Sequence, residues 1–135
     1  MRRLKLFEEI EEANAAVWKE KILESKKLVL VEFCHQYCPH CRAIKPVYDE
    51  LSTEYGDKLK FTKFNVMNNP DNQQLAAKYG VMGTPTFLFF CGGRPVHGVV
   101  GALPKEDLIQ AIEFTIRKHK DCSKKSTPLS LSYIS

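Results

Sequence analysis

The stretch that most constrains this chain is "LVLVEFCHQYCPHCRAIKP", residues 28–46. Residues 28–33 form an apolar, partly β-branched run of strand length, the pattern of a strand covered on both faces. From Pro39 to Tyr55 the pattern turns helical, with Ile44, Val47, Tyr48 and Leu51 on one face. Proline is favourable in the first turn of a helix, so Pro39 marks the start, and Pro46 inside the pattern is expected to kink it. Cys34, Cys38 and Cys41 therefore fall where a buried strand gives way to a helix. In open α/β sheets, the carboxyl end of a strand is a usual place for ligands and reactions.

Spacing alone leaves the chemistry open. C-x3-C-x2-C can hold an iron–sulfur cluster, whereas Cys38-Pro39-His40-Cys41 can be a zinc half-site or a dithiol redox pair. With five cysteines in all, a complete intramolecular disulfide framework is impossible. In a reducing compartment, a close pair of thiols points to catalysis or metal binding rather than to a structural bridge.

The remaining segments continue the alternation of strands and helices. Residues 14–27 carry Val17, Trp18, Ile22 and Leu23 at helical spacing behind Asn14, a suitable N-cap, with Trp18 as a core anchor. Residues 4–10 extend that helix or form an edge strand. "LKFTKFNV", 59–66, alternates as a strand, and 69–80 reads as a helix capped by Asn69 and ended by Gly80. "TPTFLFF" is a strand leading to a Gly92-Gly93 turn, from which "PVHGVVG" returns antiparallel. Residues 104–119 close the fold as an amphipathic helix with Leu108, Ile109, Ile112 and Ile116 inward. The reading is one domain over 14–120, preceded by a lead segment, 1–13, and followed by a flexible tail, 121–135. Its order, β-α-β-α-β-β-α, predicts a three-layer α/β fold with a central mixed sheet flanked by helices.

Composition removes some function classes. Hydrophobic residues make up 44% of the 135 and the net charge is +4, ordinary values for a chain with a buried core. No Lys/Arg cluster with interleaved aromatics suggests nucleic acid. No apolar run reaches the ~18 residues of a membrane span. The amino-terminal segment is basic but turns acidic at Glu8, leaving no hydrophobic signal region. The expectation is a cytoplasmic monomer that binds neither membrane nor nucleic acid.

These elements together resemble the thioredoxin family over roughly residues 14–120. "VLVEFCHQYCPHCRAIKP" looks like its active-site segment, and "GTPTFLFFCGGRPVHGVVGAL" like its carboxyl-terminal hairpin. The resemblance implies the thioredoxin fold and a protein-disulfide oxidoreductase with Cys38–Cys41 as its redox-active disulfide. It implies a cis-proline at Thr84-Pro85, a buried acid at Glu32 where thioredoxins carry Asp, a lysine neighbour at Lys63, and the substrate-groove glycine at Gly101. Tyr37, Thr84, Pro85 and Gly101 are the implied substrate-binding residues. No bound cofactor or metal is implied. An external, thioredoxin-reductase-like donor would recycle the disulfide and support electron transport and redox homeostasis.

Three departures stand out. Pro39-His40 replaces the family's Gly-Pro and matches the dipeptide of the bacterial oxidant DsbA, although the chain has no room for the helical insertion of DsbA-type proteins. Tyr37 replaces a tryptophan, and Cys34 replaces an aromatic residue.

The expected mechanism follows from thiolate chemistry. Only a thiolate attacks a disulfide. Cys38, at the helix start, has unpaired N–H groups and the helix dipole to stabilise negative charge, and His40 in the same turn adds to this. Cys38 is thus the exposed nucleophile, Cys41 the less exposed resolving thiol, and Glu32 a proton relay to it, with a structural Glu32–Lys63 ion pair as the alternative. A stabilised thiolate makes the disulfide more oxidising, between about −270 mV for thioredoxin and about −120 mV for DsbA. Reduction of protein disulfides is the leading reading, and an oxidase or isomerase the alternative. A metal or iron–sulfur protein using Cys34, Cys38 and Cys41 is the distant one: no second pair completes a zinc site, and a radical S-adenosylmethionine enzyme needs a larger barrel. Cys34 is expected to pack beside the site, with accessory redox chemistry as the minority reading, and Cys91 and Cys122 to be incidental thiols.

Overall fold

A computed structural model of the chain describes residues 10–123. Five strands form one mixed sheet: β1 (Glu11–Ala13), β2 (Val29–Cys34), β3 (Lys60–Asn65), β4 (Thr86–Cys91) and β5 (Arg94–Val100). Their spatial order is β1-β3-β2-β4-β5. β3 runs parallel to both β1 and β2, whereas β4 is antiparallel to β2 and to β5. Helices α1 (Pro39–Tyr55), α2 (Pro70–Lys78) and α3 (Lys105–Lys118) cover the sheet. Gly92 and Gly93 make the β4–β5 turn at φ of 63° and 92°, left-handed backbone that glycine adopts at no steric cost.

The period of two along β2 assigns its side chains to two cores. Leu30 points to the layer of α1 and α3, where Ile44, Tyr48, Leu51, Phe87, Phe89, Leu108 and Ile112 are buried. Val29, Val31 and Phe33 point to the opposite layer with Trp18, Ile22, Phe64, Ala76 and Phe90. Glu32 and Cys34 share the parity of Leu30, so the strand aims the acid and the first thiol at α1. Tyr48 fastens that helix to the sheet beneath them: its hydroxyl donates to the Thr62 carbonyl at 2.8 Å and also reaches that of Leu30 at 3.3 Å.

The α/β thioredoxin-type architecture is as expected, but three local readings need correction. Residues 14–27 are not a regular α-helix. A 3-10 turn, Ala15–Val17, leads into a π turn, Lys19–Leu23. Asn14 does cap the segment, accepting from the Val17 N–H at 3.2 Å. Tertiary contacts override local propensity here. The Ala15 N–H is drawn to the Asn72 side chain at 2.9 Å, and Trp18 is held among Phe33, Phe64, Tyr79 and Phe90.

The packed unit also exceeds 14–120 at both ends. Residues 11–13 pair with Thr62–Phe64 as an edge strand, and Cys122 is buried in the α1/α3 core. Cys122 is disulfide-bonded to Cys91, with Cα atoms 4.8 Å apart. These cysteines are therefore a staple rather than incidental thiols, because β4 aims Cys91 at the layer into which the chain descends after α3. The rest of the expected tail, 124–135, and residues 1–9 of the lead segment lie outside the described residues.

Candidate active site

Cys38 is the N-cap of α1, in extended backbone, with Pro39 as the first helical residue. Its sulfur accepts the Cys41 backbone N–H at 3.2 Å. This is the arrangement a helix start offers an anion, with an otherwise unpaired N–H directed at the charge. As a thiol, the same sulfur reaches the Thr84 carbonyl at 3.6 Å. Cys38 is 5% exposed and Cys41 8%, so the expected exposed-then-buried order does not hold. The cause is the loop before β4, which brings Thr84 over the helix start.

That loop is tightly held. The Thr84–Pro85 bond is cis, the Thr86 hydroxyl donates to the Gly83 carbonyl at 2.6 Å, and the Gly101 N–H donates to the Pro85 carbonyl at 2.8 Å. Gly101 makes that bond at φ 103°, a conformation disfavoured for other residues. Tyr37 is 70% exposed and His40 is exposed on the first turn of α1. Beside Thr84 lies a cavity of about 280 Å³ walled by His35, Val66, Met67, Val81 and Met82. Met82 projects almost wholly into solvent. Neither methionine belongs to a sequence motif: Met82 lies two residues before Thr84 in the chain, whereas Met67 reaches the cavity only through the fold.

Behind the helix start, Glu32 is buried and its carboxyl is pushed up to about 7. Burial is the main cause; the positive charge of Lys63, its register partner on β3, opposes it. The carboxyl oxygen lies 3.3 Å from the Cys34 sulfur.

In place of the expected Cys38–Cys41 bond, the structure joins Cys34 to Cys41, with Cα atoms 6.0 Å apart, and leaves Cys38 as the free thiol. That separation lies inside the usual span for a bridge. It arises because β2 points Cys34 at α1 and the first turn of α1 brings Cys41 above it. Cys34 is thus a bonded partner, not a packing residue. Since its sulfur carries no hydrogen in this state, the neutral Glu32 carboxyl is the donor between them. A cavity of about 360 Å³ opens at this bridge, walled also by Glu12, Arg42, Lys45 and Lys63. No group of three or more His, Cys, Asp or Glu among the described residues is arranged to hold a metal ion. No helix among them is long and apolar enough to cross a membrane.

A mixed sheet that delivers a thiol to a helix N-terminus, with a second cysteine donating its N–H to it and a buried acid behind, defines a thiol–disulfide oxidoreductase. Comparison with known proteins gives the lineage. The Thioredoxin family model matches residues 9–114, and the chain belongs to the thioredoxin family. It is 41% identical over 98 residues to thioredoxin 1 of Nostoc sp., covering 73% of this chain and 89% of that protein. Identity to the thioredoxin of Synechocystis sp. is 40% over 102 residues, 76% of this chain and 92% of the other. The chloroplastic M-type thioredoxin of Chlamydomonas reinhardtii is 40% identical over 100 residues, 74% and 69% of the two chains. The protein is a disulfide oxidoreductase that works by dithiol–disulfide exchange.

Proposed function

We propose that the chain reduces disulfides in protein substrates, with Cys38 as nucleophile and Cys41 as resolving thiol. The observation that carries this is the Cys38 sulfur at the start of α1, facing the Cys41 N–H at 3.2 Å and the Thr84 carbonyl at 3.6 Å. The Cys38 thiolate attacks one sulfur of the substrate disulfide, and the other sulfur leaves as a thiolate. Cys41 then attacks the Cys38 side of the mixed disulfide, releasing the second substrate thiolate and closing Cys38–Cys41. For this the Cys34–Cys41 bond must first be open, which an external reductase or small dithiol achieves.

Glu32 takes up the proton lost when Cys41 attacks. A carboxyl that titrates near 7 is matched to that task at neutral pH. An extended substrate segment lies along Thr84 and Pro85, using main-chain hydrogen bonds, with Tyr37, Met67 and Met82 as apolar contacts and Gly101 keeping the loop in place. His40, exposed on the same first turn of α1, tunes the Cys38 thiolate through its imidazole dipole.

The test is insulin-disulfide reduction with dithiothreitol as donor. Cys38→Ser abolishes turnover, and Cys41→Ser accumulates mixed disulfides with substrate. Turnover retained by the Cys38 variant refutes the assignment.

A further inference from the structure

Cys41 stands between two sulfurs. Its N–H is directed at Cys38, and its own sulfur is bonded to Cys34. Cys38 faces the Thr84 loop, whereas Cys34 faces the buried carboxyl of Glu32 at 3.3 Å and the cavity behind the helix. We infer that Cys34 is a third redox thiol, which takes Cys41 from the Cys38–Cys41 disulfide and returns Cys38 to the substrate side as a free nucleophile.

The step is an internal thiol–disulfide exchange with no net change in oxidation state. Once Glu32 has released the Cys41 proton to water in the adjoining cavity, Cys34 passes its proton to the Glu32 carboxylate, and its thiolate attacks the Cys41 sulfur. The Cys34–Cys41 bond forms, the Cys38–Cys41 bond breaks, and the electron pair leaves on Cys38. As a thiolate, Cys38 retains the Cys41 N–H at the helix start, which favours it as leaving group. The Cys38–Cys41 disulfide that feeds the step is the product of substrate reduction, so the inference rests on the proposed function.

The exchange changes what the oxidised protein can do. With Cys38 free and Cys41 occupied, the chain can still open a second disulfide but cannot resolve the adduct from within. The adduct persists until a thiol of the substrate itself displaces Cys38, which rearranges the substrate's disulfides rather than reducing them. A tryptophan or other aromatic at position 34 would allow none of this.

The experiment uses the full chain, reduced, then oxidised by turnover against less than one equivalent of insulin disulfide, so that no intact substrate remains to trap Cys38, acid-quenched and alkylated with N-ethylmaleimide. Chymotryptic cleavage after Tyr37 separates Cys34 from Cys38 and Cys41, and fragment ions that part Cys38 from Cys41 within the second peptide distinguish the pairings by tandem mass spectrometry. The expected product is a Cys34–Cys41 cross-link with Cys38 alkylated in the majority of oxidised chains. In Cys34→Ser, Cys38 is protected from alkylation by its bond to Cys41. Oxidised wild-type protein with Cys38 protected, in any pairing, overturns the inference. The Cys38→Ser turnover assay bears on the dithiol cycle alone, so a failure there is read separately from a failure of the exchange.

Discussion

Replacing Glu32 with Gln tests whether burial of the acid governs its chemistry. The carboxyl is raised from its ordinary 4.5 to about 7, chiefly by burial, so the folded protein favours the neutral form. Below pH 4.5 the acid is protonated in both folded and unfolded chains and adds no pH-dependent cost. As the pH rises from 4.5 to 7, the unfolded chain releases its proton first and stability is lost. Above 7 the loss is complete. At about 1.4 kcal/mol per tenfold change in proton affinity, the full effect is on the order of 3 kcal/mol.

The relevant quantity is the difference in unfolding free energy between Glu32→Gln and wild type, both oxidised, from urea titrations at pH 4 to 9. The variant should gain on wild type through that window by about 3 kcal/mol. Contributions from other titrating groups cancel in the difference. A pH-independent difference would refute the reasoning, because the carboxyl would then titrate alike folded and unfolded. The same variant should slow resolution of the mixed disulfide about 10–100-fold, within or below the range for lost general acid–base catalysis, as read by stopped-flow.

Three further outcomes are expected. Cys91→Ser opens the bridge to Cys122, which spans 31 residues; loop-closure entropy puts the loss at about 3–4 kcal/mol, measured by urea unfolding under non-reducing conditions. Gly101→Ala places a side chain at φ 103°, where nothing lies within 4 Å of the added carbon, so the cost is backbone strain of about 1–2 kcal/mol, together with a raised KM for insulin because the Pro85 loop loses its tether. In a Cys34→Ser background, where Cys38–Cys41 is the terminal disulfide, His40→Pro removes an imidazole from the first turn of α1 and should lower the redox potential by about 30–60 mV, at about 30 mV per 1.4 kcal/mol, as measured by equilibration with glutathione; an unmoved potential would remove His40 as the tuning residue.

Most of the fold could be read along the chain because its signals are local. An apolar strand-length run leads to Val29–Cys34, proline in the first turn starts Pro39–Tyr55 and Pro70–Lys78, and Gly92-Gly93 turns the hairpin. The segment after Asn14 was not legible in the same way. Its backbone is bent into 3-10 and π turns by an aromatic cage assembled from three distant strands and the residue after α2.

The sequence by itself determined the order of strands and helices, the dithiol at the start of a helix, and an acid two residues before Cys34, since each depends on neighbours in the chain. Which sulfurs meet was decided only by tertiary structure. Cys34 reaches Cys41 because the parity of β2 and the packing of α1 direct them to one layer, and Cys91 reaches Cys122 because the chain after α3 returns to that same layer. The elevation of Glu32 to about 7 likewise required the fold. A carboxyl's proton affinity follows the water it loses, and in this protein that water is displaced by a helix that begins only after the acid in the chain.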